Sequence, residues 1–229
     1  MHIGLIGGIG PAVTFRYYQR LFDISLAKNV PLELTVANCD MPKFLNNFSK
    51  DNKEDQASIF AELAIRLQKA GADFVVLPSI GGSFCLKEFI KKSPLPVEDV
   101  MTPLKAYIEI YKGKTIGLIG TNKAMNTKIY NLTNEIDWLI PETEQFDDVH
   151  NSYVALATKG KADGVNSDIL MSASKKLIDR GAEAVVLGGT DLFLVFEHHK
   201  LPFDIVDCAE IHIKHIVKHD TCYKLHGKN

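Results

Sequence analysis

The chain repeats itself, and that repeat limits what it can fold into. Gly4-Leu5-Ile6-Gly7 recurs as Gly117-Leu118-Ile119-Gly120 after 113 residues, and the same offset carries Thr14 onto Thr127 and Tyr17 onto Tyr130. The stretch GADFVVL (71–77) recurs as GAEAVVL (181–187) after 110 residues. Order and spacing repeat together, which chance likeness between hydrophobic strands does not explain. Each copy contributes two apolar runs ending in small residues: IGLIGG (3–8) and FVVLPS (74–79), then IGLIGT (116–121) and AVVLGG (184–189). Uninterrupted β-branched and leucine runs read as strands buried on both faces, as in parallel sheets covered by helices. Between them, FAELAIRLQKAG (60–71) and MSASKKLIDRGA (171–182) set apolar residues at three- and four-residue spacing and close on glycine, as amphipathic helices do. Two related α/β units follow. The first is expected over 1–112 plus 205–229 and the second over 113–204, with the boundary near Lys112 to Lys114. The tail IVDCAEIHIKHIVKH reads as a final amphipathic helix that returns to the first unit.

The 229 residues are 46% hydrophobic, enough for one large core or two smaller ones. A net charge of -2 and the lack of a polybasic stretch argue against nucleic acid and against an anionic membrane surface. No apolar run is long enough to cross a bilayer. The opening MHIGLIGGIGP lacks the basic segment and cleavage site of a signal peptide, so a cytoplasmic location is expected. Cys39, Cys85, Cys208 and Cys222 are scattered, without CxxC or histidine-rich spacing. They read as reduced, mostly buried thiols, and no metal is expected.

Parallel strands deliver their following turns to one edge of the sheet, where chemistry usually sits. Here those turns are GGIGPAVT, PSIGGS, GTNKAMNT and GGTD. Two units facing each other would enclose a cleft between them, and helix N-termini with consecutive backbone N–H groups would favour a small carboxylate. A dinucleotide fingerprint is weak, because GxGxxG needs glycine where Val13 stands and Pro11 interrupts the turn. A P-loop is excluded by the absence of GK[ST]. A nucleotide-binding module remains a minor reading.

GGIGPAVT (7–14), the set Gly120-Thr121, Met125 and Tyr130, and the closing Leu201, Pro202, Phe203, Asp204 and His212 together resemble the aspartate racemase branch of the aspartate/glutamate racemase superfamily. The matches run from residue 4 to about residue 212. The resemblance implies two pseudo-symmetric Rossmann-like α/β domains with mostly parallel sheets, a cleft for a small amino or dicarboxylic acid, no cofactor, and a homodimer. It also implies a pair of cysteines, one on each face of the substrate α-carbon. Inversion needs proton donation from the face opposite abstraction, and thiols suit the task because their pKa can be lowered towards the operating pH. The first cysteine position is placed at Pro78, with Ile80 and Gly81 where the family has asparagine and threonine. The second falls at Gly189 in GGTD. Neither proline nor glycine has a side chain that can carry a proton.

Other groups then come forward. Asp191 stands where the family has glutamate and is the best remaining acid or base, although an aspartate there also reads as a helix N-cap. Ser79, Ser83 and Thr190 suit hydrogen bonding to a bound carboxylate, and the resemblance adds Gly10, Thr14 and Thr121 to that binding set. Cys85 reads as a packed core residue. Cys39, beside Asp40 at the end of LTVANC, reads as a residue at a strand end or at the cleft mouth. His212 reads as packed, and His198 and His199 as a solvated loop with poor metal geometry. Two readings follow. One is a degenerate carboxylate-binding homologue without two-cysteine racemisation. The other is an active cofactor-independent racemase, isomerase or lyase in which Asp191, with Ser79, Ser83 or Asp40, replaces the thiols.

Overall fold

The computed structural model describes residues 2–226, with side chains through Lys218, so Cys222 lies outside the described side chains. The chain forms two compact units, one comprising residues up to Pro103 together with those from Ala209 onward, the other Leu104–Cys208. Each holds a four-stranded, all-parallel sheet.

In the first unit the order along the chain is β1 (His2–Gly7), α1 (Pro11–Ala27), β2 (Glu33–Asn38), α2 (Met41–Ser49), α3 (Lys53–Lys69), β3 (Phe74–Leu77), α4 (Leu86–Lys92) and β4 (Val97–Asp99). The sheet order is β2-β1-β3-β4. Helix α5 (Met101–Ile108) begins here, and Asp99 accepts hydrogen bonds from the N–H groups of Met101 and Thr102, capping it. In the second unit β5 (Thr115–Gly120), α6 (Asn122–Asn126), the turn α7 (Lys128–Asn131), β6 (Asp137–Leu139), α8 (Thr143–Lys159), α9 (Gly164–Asp179), β7 (Ala184–Gly188), α10 (Phe193–Phe196) and β8 (Asp204–Asp207) give the order β6-β5-β7-β8. The final helix α11 (Cys208–His226) joins the first unit from Ala209.

The sequence repeat is therefore a repeat of topology. Gly4 pairs with Val75 in the first sheet as Gly117 pairs with Val185 in the second. These two glycines do the same work. A Cβ on Gly4 would lie 3.0 Å from Leu67 Cβ, and one on Gly117 would lie 3.1 Å from Leu177 Cβ. Their absence lets α3 and α9 pack directly on the central strands. Those strands are buried throughout from Phe74 to Leu77 and from Ala184 to Gly188, which is why their sequences are continuous apolar runs. Phe44, Phe60, Phe84 and Phe89 add an aromatic cluster to the first core, with Phe60 and Phe89 edge to face at 5.5 Å between centroids.

Two expectations change. The tail is not helical from Ile205: Ile205 and Val206 lie in β8, paired with Val185 and Val186 of β7, and the helix starts at Cys208. That pairing holds 205–208 in the second unit, so the chain returns at Ala209. The second unit also begins earlier than Lys112, at Leu104. Within the first unit α11 docks on α1 through polar contacts that include these. Tyr17 Oη and His212 Nδ1 share a 2.9 Å hydrogen bond, and Arg20 meets Glu210 at 2.7 Å.

Candidate functional site

The first strand-end turn, Gly7 to Thr14, is shaped by two left-handed glycines, Gly8 and Gly10, each with φ of 85°. A Cβ on Gly8 would also strike the Asn38 side chain and the Cys39 carbonyl. Gly10 caps α1 with Pro11 at its first turn, where a missing N–H costs nothing. Thr14 Oγ1 accepts from Gly8 N–H at 3.0 Å and donates to Gly10 carbonyl at 3.2 Å. Its hydroxyl braces the turn before it can meet any ligand.

The turn after β3 is braced in the same way. Ser79 is 4% exposed, and its Oγ accepts from Gly82 N–H at 3.0 Å. Ser83 Oγ donates to the Ser79 carbonyl at 3.1 Å. Cys85 is fully buried and its thiol donates to Gly82 carbonyl, as expected for a packed residue. Cys39 also lies buried at the end of β2, where Gln56 donates to its sulfur. Burial, reinforced by the charge of Asp40 and only partly offset by the Gln56 hydrogen bond, pushes the Cys39 thiol up to about 11. Asp40 itself caps α2, accepting from Lys43 N–H at 2.8 Å.

In the second unit Thr121 caps α6, its Oγ1 accepting from Ala124 N–H at 3.1 Å. Asn122 N–H donates to His150 Nδ1 of α8 at 3.2 Å. Burial lowers the pKa of that histidine despite the opposing charge of Asp147. The chain then enters an unusual segment. Lys128, Ile129, Tyr130 and Asn131 all adopt left-handed φ between 49° and 58°. Such a conformation costs roughly 1–2 kcal/mol per non-glycine residue. Thr127 supports it by accepting from Tyr130 N–H at 2.8 Å.

The turn GGTD follows β7. Thr190 and Asp191 are each 2% exposed and open a short 3-10 turn that runs into α10. Asp191 is not a cap, because Gly189 and Leu192 hold those positions. Gly189 is extended, with φ of -162°, a conformation open to any residue. A turn glycine of the conformational kind is therefore not what the chain has here. A Cβ on Gly189 would lie 2.6 Å from Tyr153 Cε2, and closer still to its Cζ and Oη. The phenol of Tyr153, from the buried face of α8, stands where a side chain at 189 would stand. Asp191 donates a backbone hydrogen bond to that phenol. Burial first, and then the negative charge of Asp191, hold its pKa well above the ordinary value. Cys208, for its part, donates from its thiol to Leu187 carbonyl at 3.1 Å.

The paired registers fix which turn residues correspond. Val75 matches Val185. Counted onward, Pro78 corresponds to Gly188 and Ser79 to Gly189. By that register the first unit's counterpart of Gly189 is Ser79, whose side chain carries a proton.

Each unit thus collects its expected residues at its strand ends: Gly10, Thr14, Ser79 and Ser83 in the first, Thr121, Thr190 and Asp191 in the second. Sequence reasoning missed Tyr153 and His150, which sit one turn apart on α8. His212 is fully buried as expected, and His198 and His199 are exposed. Among the described residues no three His, Cys, Asp or Glu side chains group to hold a metal, and no helix is long and apolar enough to cross a membrane.

Comparison with known proteins agrees with this architecture. A candidate Asp/Glu racemase from Yersinia pestis superposes with a TM-score of 0.78 at 21% identity, over 96% of this chain and 99% of that one. An aspartate racemase homologue from Pyrococcus horikoshii OT3 gives 0.74 at 21% identity, over 96% and 99%. Glutamate racemase from Francisella tularensis, solved with D-glutamate, gives 0.67 at 14% identity, over 98% and 82%. At these identities the likeness speaks for the fold. The sequence profile of the Asp/Glu/Hydantoin racemase family matches residues 6–216, nearly the whole chain. Two parallel α/β units, repeated in sequence and topology and matched from end to end, make this chain a member of the Asp/Glu/Hydantoin racemase family.

Proposed function

We propose that the protein binds a small amino or dicarboxylic acid at its strand-end turns and does not racemise it by the two-thiol route. The observation that carries this reading is the occupied space over Gly189. The turn has no side chain there, and the Tyr153 phenol fills the volume that one would need. The corresponding residue in the first unit, Ser79, has a hydroxyl whose pKa is too high for unaided proton abstraction, and that hydroxyl already accepts from Gly82 N–H. The described cysteines do not substitute for a turn thiol. Cys39, Cys85 and Cys208 are buried, and Cys39 is held far from its thiolate form. What supports ligand binding is family membership together with the helix starts and hydroxyl-bearing residues gathered at the turns.

Turnover through Asp191 has less support, because its carboxyl group belongs to a residue only 2% exposed. No cofactor is needed for the proposed role, and a homodimer in the cytoplasm is the expected setting. The test has two arms. Incubation with aspartate, glutamate and a wider amino-acid panel in deuterated water, followed by NMR, reads α-hydrogen exchange. Thermal denaturation with aspartate, glutamate or citrate reads binding, since a ligand that binds only the folded state raises its apparent stability. Stabilisation without exchange is expected. Exchange at steady state with any of these acids would sink the reading.

A further inference from the structure

We propose that Tyr153 determines what the second unit's strand-end turn can hold: its phenol is a built-in occupant of the position that a side chain at residue 189 would take. Glycine is usually retained in a turn because φ is positive, as at Gly8 and Gly10, but Gly189 is extended and an L side chain would be at ease there. Glycine is required at 189 for a different reason, the atoms of Tyr153.

Those atoms are not free to leave. Tyr153 lies in the middle of α8 on the face that also buries Val149, Ser152, Leu156 and Ala157, so the ring is anchored from both sides along the helix. The phenol also takes a hydrogen bond from the Asp191 backbone, a donor that an open turn would present to a ligand. Because its pKa is raised, Tyr153 stays neutral at physiological pH and fills the position without bringing charge into a turn that already holds Asp191. In the first unit the matching position keeps its own side chain, Ser79. The two turns are therefore unequal: one has a residue of its own at this point, the other borrows a residue from the neighbouring helix. This deepens the proposed function and rests on it only for calling the turn a ligand site.

A thermal double-mutant cycle tests it, with Gly189→Ala made in the native chain and in Tyr153→Ala. In the native chain the added methyl overpacks against the ring, and the melting temperature is expected to fall on the order of 5–10 °C. In Tyr153→Ala the same change meets open space at an extended φ. It should then be neutral or raise the melting temperature, because alanine restricts the unfolded chain. Phenol is the probe for the vacated position: it should raise the melting temperature of Tyr153→Ala and leave the native protein unchanged. Should Tyr153→Ala fail to fold, Tyr153→Leu withdraws the outer ring atoms while keeping apolar bulk, and the same comparison is made there. An equal penalty for Gly189→Ala in both backgrounds overturns the proposal. Exchange of an α-hydrogen by the native protein would overturn the functional reading and leave this coupling standing.

Discussion

Acid should weaken this fold through one histidine. His212 is fully buried on α11 and shares its Nδ1 hydrogen bond with Tyr17 of α1, the rings lying edge to face at 5.6 Å. Burial, with a smaller push from the nearby His215, lowers its pKa from 6.5 to about 3. His215 itself faces Glu98 at 3.6 Å. The sign follows from where the proton goes. Above pH 6.5 His212 is neutral in both states and adds no pH dependence. As pH falls below 6.5 the unfolded chain takes up a proton that the folded chain refuses until about pH 3. Stability is therefore complete above 6.5 and declines steadily towards 3, by about 1.4 kcal/mol per pH unit. Between pH 7 and pH 5 the loss is about 2 kcal/mol, a large share of the 5–15 kcal/mol that ordinarily separates folded from unfolded chains. Urea unfolding at pH 7, 6 and 5 reads it, with native protein compared against His212→Gln, which keeps a hydrogen-bonding side chain but does not titrate. His150, whose pKa is also lowered, adds the same slope to both proteins and cancels in the difference. The native curve should fall towards the variant's by about 2 kcal/mol across that range. Parallel curves would refute the assignment of a neutral, buried imidazole.

Three further outcomes are expected. Gly8→Ala places a Cβ at φ of 85° and against the Asn38 side chain and Cys39 carbonyl, so it should cost about 2 kcal/mol or more and lower the melting temperature accordingly. Ser79→Ala leaves the buried Gly82 N–H without its acceptor and should cost about 1–3 kcal/mol by urea titration, whereas Ser83→Ala, whose hydroxyl only donates to a carbonyl, should cost less. In the folded protein at pH 7.5, Cys39, Cys85 and Cys208 should resist iodoacetamide and react once the chain is unfolded, read by mass spectrometry of the digested protein; rapid native alkylation of Cys39 would contradict its raised pKa.

Much of the fold was legible because the central strands are buried on both faces. β1, β3, β5 and β7 had to be continuous apolar runs, and a duplicated topology had to repeat their spacing. The edge strands carry no such mark. β4 is Val-Glu-Asp and β6 is Asp-Trp-Leu, each three residues of mixed exposure that pair on one side only. β8 is four residues long and runs into α11 with no glycine or proline between, so its Ile205-Val206 pair read as the first turn of that helix. Long-range pairing with β7, invisible to local periodicity, decided it.

The candidate site divides along the same line. Which turns meet at each sheet's edge follows from strand order, and the residues named from sequence lie in those turns. What their side chains do there is a matter of tertiary contact. Thr14, Ser79, Ser83 and Thr121 all looked available for a carboxylate, yet each first satisfies a backbone group of its own turn. The strand registers set Ser79 opposite Gly189, as the 110-residue offset of the sequence repeat does. Tyr153 lay beyond reach altogether, because its spacing from Val149 and Leu156 is that of any core aromatic on an amphipathic helix. The one local hint was the pair Gly188-Gly189. Gly188 has its own steric reason, since a Cβ there would lie 2.8 Å from the Ile119 carbonyl oxygen across the sheet. Gly189 has no neighbour in its sheet to explain it. A second glycine past a strand, extended and unexplained by its own strand, signals a side chain arriving from elsewhere. Here that side chain is the phenol of Tyr153, brought in by α8.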